Sequence, residues 1–416
     1  MIVYPSKING EITITGAKNA VLRYLAASIL TDKEIILGNY PSQMLDVMIH
    51  EEMLVALGKN VSHIENGQCV ISGAVSQSSL IWNKRSIRNT LLILGCLLAK
   101  TGEAKVPLPG GCKLGDRKFD IHVDLIKAFG GDVWEEDGYL CAKSKGRLKG
   151  CDFHLRMRST GATENAILMG TLAEGQSRIW NPHIRPEILD LIKLLNKMGA
   201  EIEVKGPESI VINGKESLCH SVNHLSLSDN MQALTYLIAG GIAGEELVIR
   251  NFPFKDLEIP LYFLEFSGLG YYRKDNELIV RKCTPYPVDI STGPYPGINS
   301  DMQPLFAVWA ALSKGKSTIT DLRFKGRYAY AEELAKMGVV SNVDENTLEI
   351  TGGSPIHGAD VTALDLRAGA ALLLMALVAD SPTNIHDFWM IERGYDSLEQ
   401  TMKNIGIKFE DNDCKA

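Results

Sequence analysis

The chain has 416 residues, of which 45% are apolar and 22% charged, with a formal net charge of -7. This composition predicts a globular protein of about two to three domains and excludes collagen, a coiled coil, a disulfide scaffold and a largely disordered chain. An acidic chain without a basic run argues against nucleic acid or an anionic membrane as a partner. Small molecules are therefore the expected ligands, and any bound anion needs a local cationic site.

The eight cysteines include no CxxC pair, so the sequence indicates neither a disulfide framework nor metal-ligand spacing. The first residues, MIVYPSKING, lack the charged and apolar regions of a signal peptide. The longest apolar stretch, Gly369 to Ala379, is too short to span a bilayer. These features predict a protein of the reducing cytoplasm.

An apolar helical run, followed by Gly or Asp and then by a β-branched run, recurs along the chain. In chain order its copies begin at Leu22, Thr90, Glu164, Met231, Met302 and Gly369. The β-branched run of each copy commonly ends in Asn or Asp, and the pattern predicts a buried helix followed by a strand.

A second pattern follows each copy and consists of an amphipathic helix closed by glycine, then a strand. The closing glycines are Gly58, Gly130, Gly199, Gly268, Gly338 and Gly406. Six strand–helix–strand–helix units result, with a period of about 70 residues that is too long for the common solenoids. We therefore predict a globular α/β protein of two three-unit domains, with a boundary near residues 215–228.

Several predicted helices begin with a capping residue beside glycine or a charge. These starts are Thr15–Asn19, Thr160–Asn165, Ser228–Asp229, Ser300–Asp301 and Asp365–Arg367. A helix N-terminus offers free N–H groups and positive dipole charge, which attract anions. Ordinary N-capping is the alternative interpretation of each start taken alone.

The segment from Leu108 to Arg117 holds three glycines, which predicts a loop whose backbone can approach a ligand. Cys112 precedes Lys113 in this loop, and Arg117 follows. Because cations favour the thiolate, Cys112 is the cysteine with the strongest indication of reactivity, against the alternative of an inert surface thiol. Asp301 in a turn and Arg393 before the last helix are further candidates, with capping and ordinary surface exposure as their alternatives.

Motifs spread over the whole chain resemble those of the enolpyruvyl transferases. They are TGAKNA, PLPGGCKLGDRKFDIH, STGATEN, SDMQ, DLRAGAAL and IERGYDSLE, and the resemblance runs from about Gly10 to Phe409. The PGGC loop distinguishes the branch that acts on UDP-N-acetylglucosamine from the branch that acts on shikimate 3-phosphate.

The resemblance implies two inverse α/β barrel-like domains with pseudo-threefold symmetry, built from six βαβαββ units with helices inside and sheets outside. The first domain, residues 18–226, would carry the Cys112 loop. Residues 1–17 and 227–416 would form the second domain, and the active site would lie in the cleft between the two.

The implied reaction moves the enolpyruvyl group of phosphoenolpyruvate to a sugar hydroxyl and releases phosphate. By similarity, Lys18, Arg117, Arg367 and Arg393 bind phosphoenolpyruvate, and Lys18 and Arg393 also assist catalysis. Cys112 would be the general acid, and it can become covalently attached to the substrate. Asp301 would accept the hydroxyl proton or position the substrate. The resemblance implies no metal or organic cofactor.

The expected partners are phosphoenolpyruvate and a uridine nucleotide, without nucleic acid or membrane, and the oligomeric state stays open. The positions that correspond to acceptor-binding residues are Asn19, Arg88, Arg117, Asp120, Ser159, Thr160, Gly161, Asp301 and Arg323. The chain departs from the family pattern at 184–186, 230–232, 298–300 and 325–330. These departures leave open a paralogue that uses another uridine nucleotide, such as UMP.

A catalytically silent nucleotide-binding protein is a third reading. Retention of Cys112, Asp301, Lys18 and Arg393 argues against it. The main expectation is therefore an enzyme of peptidoglycan precursor synthesis in the cytoplasm that the epoxide fosfomycin alkylates at Cys112.

Overall fold

The computed structural model describes residues 1–64, 67–109 and 119–411. Its helices are α1 (Lys18–Ala27), α2 (Leu45–Ala56), α3 (Thr90–Thr101), α4 (Asp120–Ala128), α5 (Thr160–Leu172), α6 (Pro186–Met198), α7 (Asn230–Ala243), α8 (Glu258–Phe266), α9 (Gln303–Leu312), α10 (Tyr330–Lys336), α11 (Leu366–Val378), α12 (Trp389–Glu392) and α13 (Leu398–Asn404). The predicted loop with Cys112, Lys113 and Arg117 lies outside the described residues.

The strands of the first half of the chain are β1 (Ile2–Val3), β2 (Ile8–Thr13), β3 (Ile35–Gly38), β4 (Asn60–Ile64), β5 (Gln68–Ser72), β6 (Glu103–Pro107), β7 (Gly131–Glu136), β8 (Tyr139–Ser144), β9 (Asp152–His154), β10 (Gln176–Trp180), β11 (Glu201–Lys205) and β12 (Ser209–Asn213). The remaining strands are β13 (Val222–Leu225), β14 (Gly244–Arg250), β15 (Tyr271–Lys274), β16 (Glu277–Val280), β17 (Ile290–Ser291), β18 (Gly315–Thr320), β19 (Val340–Asp344), β20 (Thr347–Gly352), β21 (Asp360–Thr362), β22 (Thr383–His386) and β23 (Phe409–Glu410).

One sheet pattern recurs through the described residues. In the sheet ordered β9-β10-β12-β11, α5 connects the parallel strands β9 and β10, and α6 leads on to the antiparallel pair β11 and β12. The sheets β13-β3-β5-β4, β2-β14-β16-β15 and β17-β18-β20-β19 have the same order and the same directions. The predicted βαβαββ unit is therefore confirmed.

The described chain divides into two compact units. The first unit runs from Gly16 to Leu227, and the second combines Met1–Thr15 with the chain from Ser228 onward. The amino-terminal strands complete sheets of the second unit, since β1 pairs with β22 and β23 and β2 pairs with β14. In the first unit, β13 from its carboxyl-terminal end pairs with β3 near its amino-terminal end and completes that sheet.

Helices α1, α3 and α5 of the first unit, and α7, α9 and α11 of the second, are buried on almost every side. Most of their residues are apolar, although α1 and α5 also carry polar residues such as Arg23 and Glu164, and a helix with apolar residues on every face is typical of a core. The sheets cover them, and strands such as β20 alternate buried and exposed residues. In the described part of the chain, no helix is long and apolar enough to cross a membrane.

The glycines predicted to close the amphipathic helices all have positive φ angles. Gly199, for example, follows the last residue of α6 with a φ of 109°, a conformation that costs any residue with a Cβ free energy. Each of these turns directs the chain from a helix into the third strand of its unit.

Candidate active site

In the second unit, the starts of the three internal helices carry polar side chains. The Asp229 carboxylate caps α7 by accepting backbone N–H bonds of 2.8 and 3.0 Å. Asp365 caps α11 through bonds of 2.7 and 2.9 Å. Asn299 caps the short 3-10 turn before α9 by accepting from the backbone N–H of Asp301 at 3.1 Å. The predicted caps Asp229 and Asp365 are thus confirmed, whereas the cap before α9 is Asn299 and not Ser300 or Asp301. Helices α7, α9 and α11 pack against one another.

Arg367 lies in the first turn of α11 and is only 1% exposed. Its Nη1 donates to the Tyr395 hydroxyl at 3.3 Å, and that hydroxyl shares a 2.7 Å hydrogen bond with Thr235 on α7. Among the described residues, the Nε of Arg367 has no hydrogen-bond partner. A buried cation that is not fully paired raises the free energy of the folded protein. A buried guanidinium with an N–H group left over therefore favours the binding of an anion.

Electrostatic neighbours keep Arg367 charged despite its burial. Burial acts to lower the pKa of Arg367, but Tyr395, Asp301 and Asp229 outweigh it and hold this pKa above its ordinary value. Asp229 lies at the start of α7 and Asp301 just before α9. Their influence on the pKa of Arg367 indicates that both starts lie near the guanidinium at the start of α11. The amino-terminal ends of the second unit's internal helices therefore form a polar site around Arg367.

The turn between α12 and α13 passes beside Arg367. A Cβ on Gly394 would lie 3.6 Å from Arg367 Nη1 and only 2.3 Å from Leu366 Cδ1, so a larger residue here would require the Leu366 side chain to move. The preceding residue, Arg393, is 6% exposed, and its Nη1 lies 3.9 Å from Met390 Sδ. The structure thus brings the segment of Arg393 next to Arg367.

A hydrogen-bonded network fixes the carboxylate of Asp301. Arg327 Nη1 donates to Asp301 Oδ1 at 2.7 Å and to Ser300 Oγ at 2.9 Å. Ser300 donates in turn to Asp321 Oδ2 at 2.5 Å, and Gln303 Nε2 donates to the same oxygen at 2.7 Å. The Asp301 side chain stays 30% exposed, so one carboxylate is both oriented and accessible.

The charge of Arg327 is also maintained by its surroundings. Burial acts to lower the pKa of Arg327, while Asp301, Asp365 and Asp321 raise it above its ordinary value. The charged guanidinium forms a charge-assisted hydrogen bond with Asp301. Tyr330 extends the network by donating to Gln303 Oε1 at 2.9 Å. Two of the ranges in which the sequence departs from the family, 298–300 and 325–330, thus supply the groups around Asp301.

In the first unit, Lys18 is the first residue of α1 and is 7% exposed. Its Nζ forms a 3.1 Å ion pair with Asp46 Oδ2 on α2. The pair holds the ammonium group at the start of α1, where the helix dipole adds positive charge. Asn19 follows in the same turn.

Three of the residues predicted to bind the acceptor surround His122 on α4. Asn165 Nδ2 lies 3.1 Å from His122 Nδ1, and a Cβ on Gly161 would lie 3.2 Å from His122 Nε2. The pKa of His122 falls to about 4, mainly through burial and also through the charge of Arg88, while Asp120 opposes the shift. His122 is therefore neutral near pH 7. The structure brings Arg88, Asp120 and Gly161 together around this imidazole.

The other predicted residues take more ordinary positions. Ser159 Oγ caps α5 by accepting from a backbone N–H at 3.4 Å. Thr160 Oγ1 shares a 2.8 Å hydrogen bond with His183 Nδ1. In the second unit, the guanidinium of Arg323 lies 5.3 Å from the centre of the Phe324 ring. Cys112 and Arg117 lie outside the described residues, so their predicted roles stay predictions.

Sequence reasoning gave no role to five residues that complete these arrangements. They are Asp46, His122, Asp321, Arg327 and Tyr395. The strand-ending Asn or Asp of the internal repeat was a usable signal for Asp321. Tyr395 belongs to the IERGYDSLE motif and His122 to the PLPGGCKLGDRKFDIH motif. Nothing in the sequence indicates Asp46 as the partner of Lys18.

Comparisons with known proteins agree with this architecture. The family model of EPSP synthase (3-phosphoshikimate 1-carboxyvinyltransferase) matches residues 2–402. The chain is 38% identical over 414 residues to UDP-N-acetylglucosamine 1-carboxyvinyltransferase of Rickettsia bellii, covering 98% of each chain. It is 35% identical over 410 residues to UDP-N-acetylglucosamine 1-carboxyvinyltransferase 1 of Staphylococcus aureus, covering 97% of each.

Solved structures show the same fold. The enolpyruvyl transferase NikO from Streptomyces tendae matches with a TM-score of 0.88 and 25% identity, over 98% of this chain and 97% of that one. EPSP synthase from Acinetobacter baumannii matches with a TM-score of 0.74 over 98% of each chain, at 16% identity. The chain therefore belongs to the EPSP synthase family, the enolpyruvyl (1-carboxyvinyl) transferases, and both the fold and the enzyme class predicted from the sequence are confirmed.

Proposed function

We propose that the chain transfers the enolpyruvyl group of phosphoenolpyruvate to a hydroxyl of UDP-N-acetylglucosamine and releases phosphate. This is the first committed step of peptidoglycan precursor synthesis, which takes place in the cytoplasm. The proposal is supported by the names of relatives that are 35–38% identical over 97–98% of this chain. In the structure, the observation that carries it is the buried guanidinium of Arg367, whose Nε has no hydrogen-bond partner in the described part of the chain.

Phosphoenolpyruvate carries about three negative charges, which a set of cations must match. Arg367 and Arg393 of the second unit supply two guanidinium groups whose planar forks suit carboxylate and phosphate oxygens. Lys18 of the first unit and Arg117 complete the proposed set. Lys18 is suited to a point contact with phosphate, since its pairing with Asp46 fixes where its ammonium group lies.

The reaction needs one proton delivered and one removed. Cys112 would protonate C3 of phosphoenolpyruvate while the acceptor hydroxyl adds to C2 and transfers its proton to Asp301. Phosphate would then leave C2 with the proton held by Asp301, and a C3 proton would return to the Cys112 thiolate, which restores the double bond in the product and both side chains. Asp301 is suited to this role because its carboxylate is held in place by Arg327 and is still 30% exposed.

The nucleotide would contact the polar group around His122 in the first unit. Arg88 provides a cation and Asp120 a hydrogen-bond acceptor, and the Gly161 backbone lies close to the buried ring of His122. Asn19, Ser159, Thr160, Arg117 and Arg323 are the other proposed contacts.

A second acceptor is favoured by one specific observation. Departures from the family pattern at 298–300 and 325–330 include Ser300 and Tyr330, which lie in the network around Asp301. A changed environment at the proposed acceptor carboxylate is what a paralogue with another uridine nucleotide, such as UMP, would need.

Phosphate release from phosphoenolpyruvate, measured over a panel of uridine nucleotides, tests the proposal. We expect release that depends on UDP-N-acetylglucosamine and saturates with it. Release with UMP but not with UDP-N-acetylglucosamine would assign the paralogous activity. Tight nucleotide binding in calorimetry without release with any nucleotide would contradict both and indicate a silent binding protein.

Replacing Arg367 with Met should raise KM for phosphoenolpyruvate about 10- to 100-fold, because a hydrogen bond to a charged group contributes about 1.5–3 kcal/mol. Methionine fills a similar buried volume, so the fold should persist. Steady-state kinetics with phosphoenolpyruvate as the varied substrate measures the effect. Arg281→Met is the matched control, since that side chain is 71% exposed and pairs with Glu246 at the surface. An Arg367→Met variant with the parental KM would remove Arg367 from the donor site.

A further inference from the structure

Three side chains that can act as metal ligands lie together at one edge of a sheet in the first unit. His63 on β4 and Cys69 on β5 are directly opposite each other in the antiparallel register. Glu51 reaches them from α2, which packs on β4. One ligand atom from each residue lies within 4.8 Å of the other two, and within the described residues no other such group of three occurs. We propose that Glu51, His63 and Cys69 bind a thiophilic divalent metal ion, with Zn²⁺ as the best match.

The spacing of the donors is close to what a tetrahedral ion requires. Bonds of about 2.0–2.3 Å from Zn²⁺ to nitrogen, oxygen and sulfur place neighbouring ligand atoms about 3.3–3.8 Å apart. His63 Nε2 and Glu51 Oε2 are already 3.2 Å apart. Bringing the sulfur into range requires a movement on the order of 1 Å or less, which leaves a fourth position for water.

Tyr40 supports the carboxylate from behind. Its hydroxyl donates to Glu51 Oε1 at 2.6 Å and so leaves Oε2 directed at His63. The Tyr40 ring lies 5.8 Å from the His63 ring, centre to centre, and is 5% exposed. An outer hydrogen bond that fixes the orientation of a ligand is a regular feature of metal sites.

The site combines access with a protected sulfur. His63 has 45% of its side chain exposed and Glu51 has 14%, whereas Cys69 is fully buried. Burial, and then the charge of Glu51, raise the pKa of the Cys69 thiol to about 12, so the empty site holds a protonated thiol. Metal binding would release this proton to solvent and form the metal–thiolate bond, because only the thiolate is a strong ligand.

The donor set selects the class of ion. One thiolate, one imidazole and one carboxylate suit Zn²⁺ and related transition metals, whereas Ca²⁺ and Mg²⁺ prefer sites built of oxygen alone. A bound ion would connect α2 to the β4–β5 hairpin and stabilise this edge of the first unit. The competing interpretation is an ion pair between Glu51 and His63 above a core cysteine.

Titration of the full-length protein with Co²⁺, followed by displacement with Zn²⁺, distinguishes the two. The measurements are made in a Cys112→Ser background, so that the loop thiol cannot contribute. We expect one equivalent of Co²⁺ to give the absorption of a thiolate–cobalt bond, and one equivalent of Zn²⁺ to remove it. Outer hydrogen bonds alone contribute about 10- to 100-fold in metal affinity, so His63→Ala should weaken binding by at least about tenfold.

Further variants separate loss of a ligand from loss of the fold. Cys69→Ser should abolish the thiolate band, and Glu51→Gln, which can still accept from Tyr40, should weaken binding with an unchanged thermal unfolding curve in the absence of metal. Cys219→Ser is the matched control, since Cys219 is an exposed cysteine of the same unit, and it should leave the band unchanged. No thiolate band in the parent, or a band that persists at full affinity in both His63→Ala and Cys69→Ser, would overturn the proposal.

Discussion

Replacing Cys112 with serine should lower the turnover number by about 10²- to 10⁴-fold, the contribution typical of a general acid in place. A serine hydroxyl is a far weaker acid than a thiol, so it cannot deliver a proton to C3 of phosphoenolpyruvate at a comparable rate. Steady-state phosphate release with both substrates saturating measures the change. Cys219→Ser, an exposed cysteine elsewhere in the first unit, is the control and should retain parental turnover.

An independent readout locates the reactive thiol. Fosfomycin, whose epoxide can be opened by a thiolate, should add to Cys112 of the active protein and to no cysteine of the Cys112→Ser variant. Mass spectrometry of proteolytic peptides identifies the modified residue. Parental turnover in Cys112→Ser would refute the acid role, and an active protein without an adduct would show that the thiol is not accessible to the epoxide.

The repeated unit could be predicted because its signals are local. Apolar runs that face the core on all sides distinguish α3 or α11 from amphipathic helices such as α6, and closing glycines such as Gly199 mark where those helices end. These patterns depend on residues within one or two turns of each other. They therefore give the elements and their order without any knowledge of the tertiary structure.

The pairing partners of the amino-terminal strands could not be predicted from local sequence patterns. Ile2 pairs with Asn384 on one side and with Glu410 on the other, at separations that no local pattern records. The pairing of β2 with β14 and that of β13 with β3, each within its own unit, likewise join segments that are far apart in the sequence. The family resemblance supplied the expectation that the first strand packs with the later part of the chain, and residue patterns alone did not.

The candidate site divides in a similar way. Capping residues such as Asp229 and Asp365 could be predicted, because a cap and its helix are adjacent in the sequence. Ion pairs between different helices or strands could not be predicted from the sequence. The pairing of Asp46 with Lys18 is an example, because Asp46 lies on α2 and Lys18 on α1. Asp321 differs from its counterparts Asn39, Asn181 and Asp387, which have positive φ angles at the ends of their strands. The Asp321 carboxylate instead accepts hydrogen bonds from Ser300 and Gln303. The same position of the repeat therefore forms a turn in some units and part of the candidate site in another.

The pairing of Asp301 with Arg327 bears on which of its two possible roles Asp301 has. A general base must release its proton again after each turnover, and a neighbouring guanidinium favours the carboxylate over the protonated acid. The pairing thus weakens Asp301 as a base but holds its oxygens in a fixed orientation, which suits a group that both aligns a hydroxyl and accepts its proton late in the addition.

Asp301→Asn should therefore lower turnover by about 10²- to 10⁴-fold, since asparagine can still align a hydroxyl but cannot accept its proton. If positioning is the whole role, both the turnover number and the KM for the acceptor should stay near the parental values, because asparagine keeps the aligning oxygen. Initial rates over a matrix of both substrates separate the two outcomes.

Asp275→Asn is the matched control for this substitution. Asp275 is an exposed turn residue of the second unit with a φ of 54°, a conformation that asparagine tolerates, so this variant should keep parental kinetics and stability. Thermal unfolding of Asp301→Asn shows whether the loss of the ion pair with Arg327 has disturbed the fold. Parental values of both kinetic constants in a folded Asp301→Asn protein would exclude Asp301 as the proton acceptor, because asparagine can align the hydroxyl but cannot take its proton.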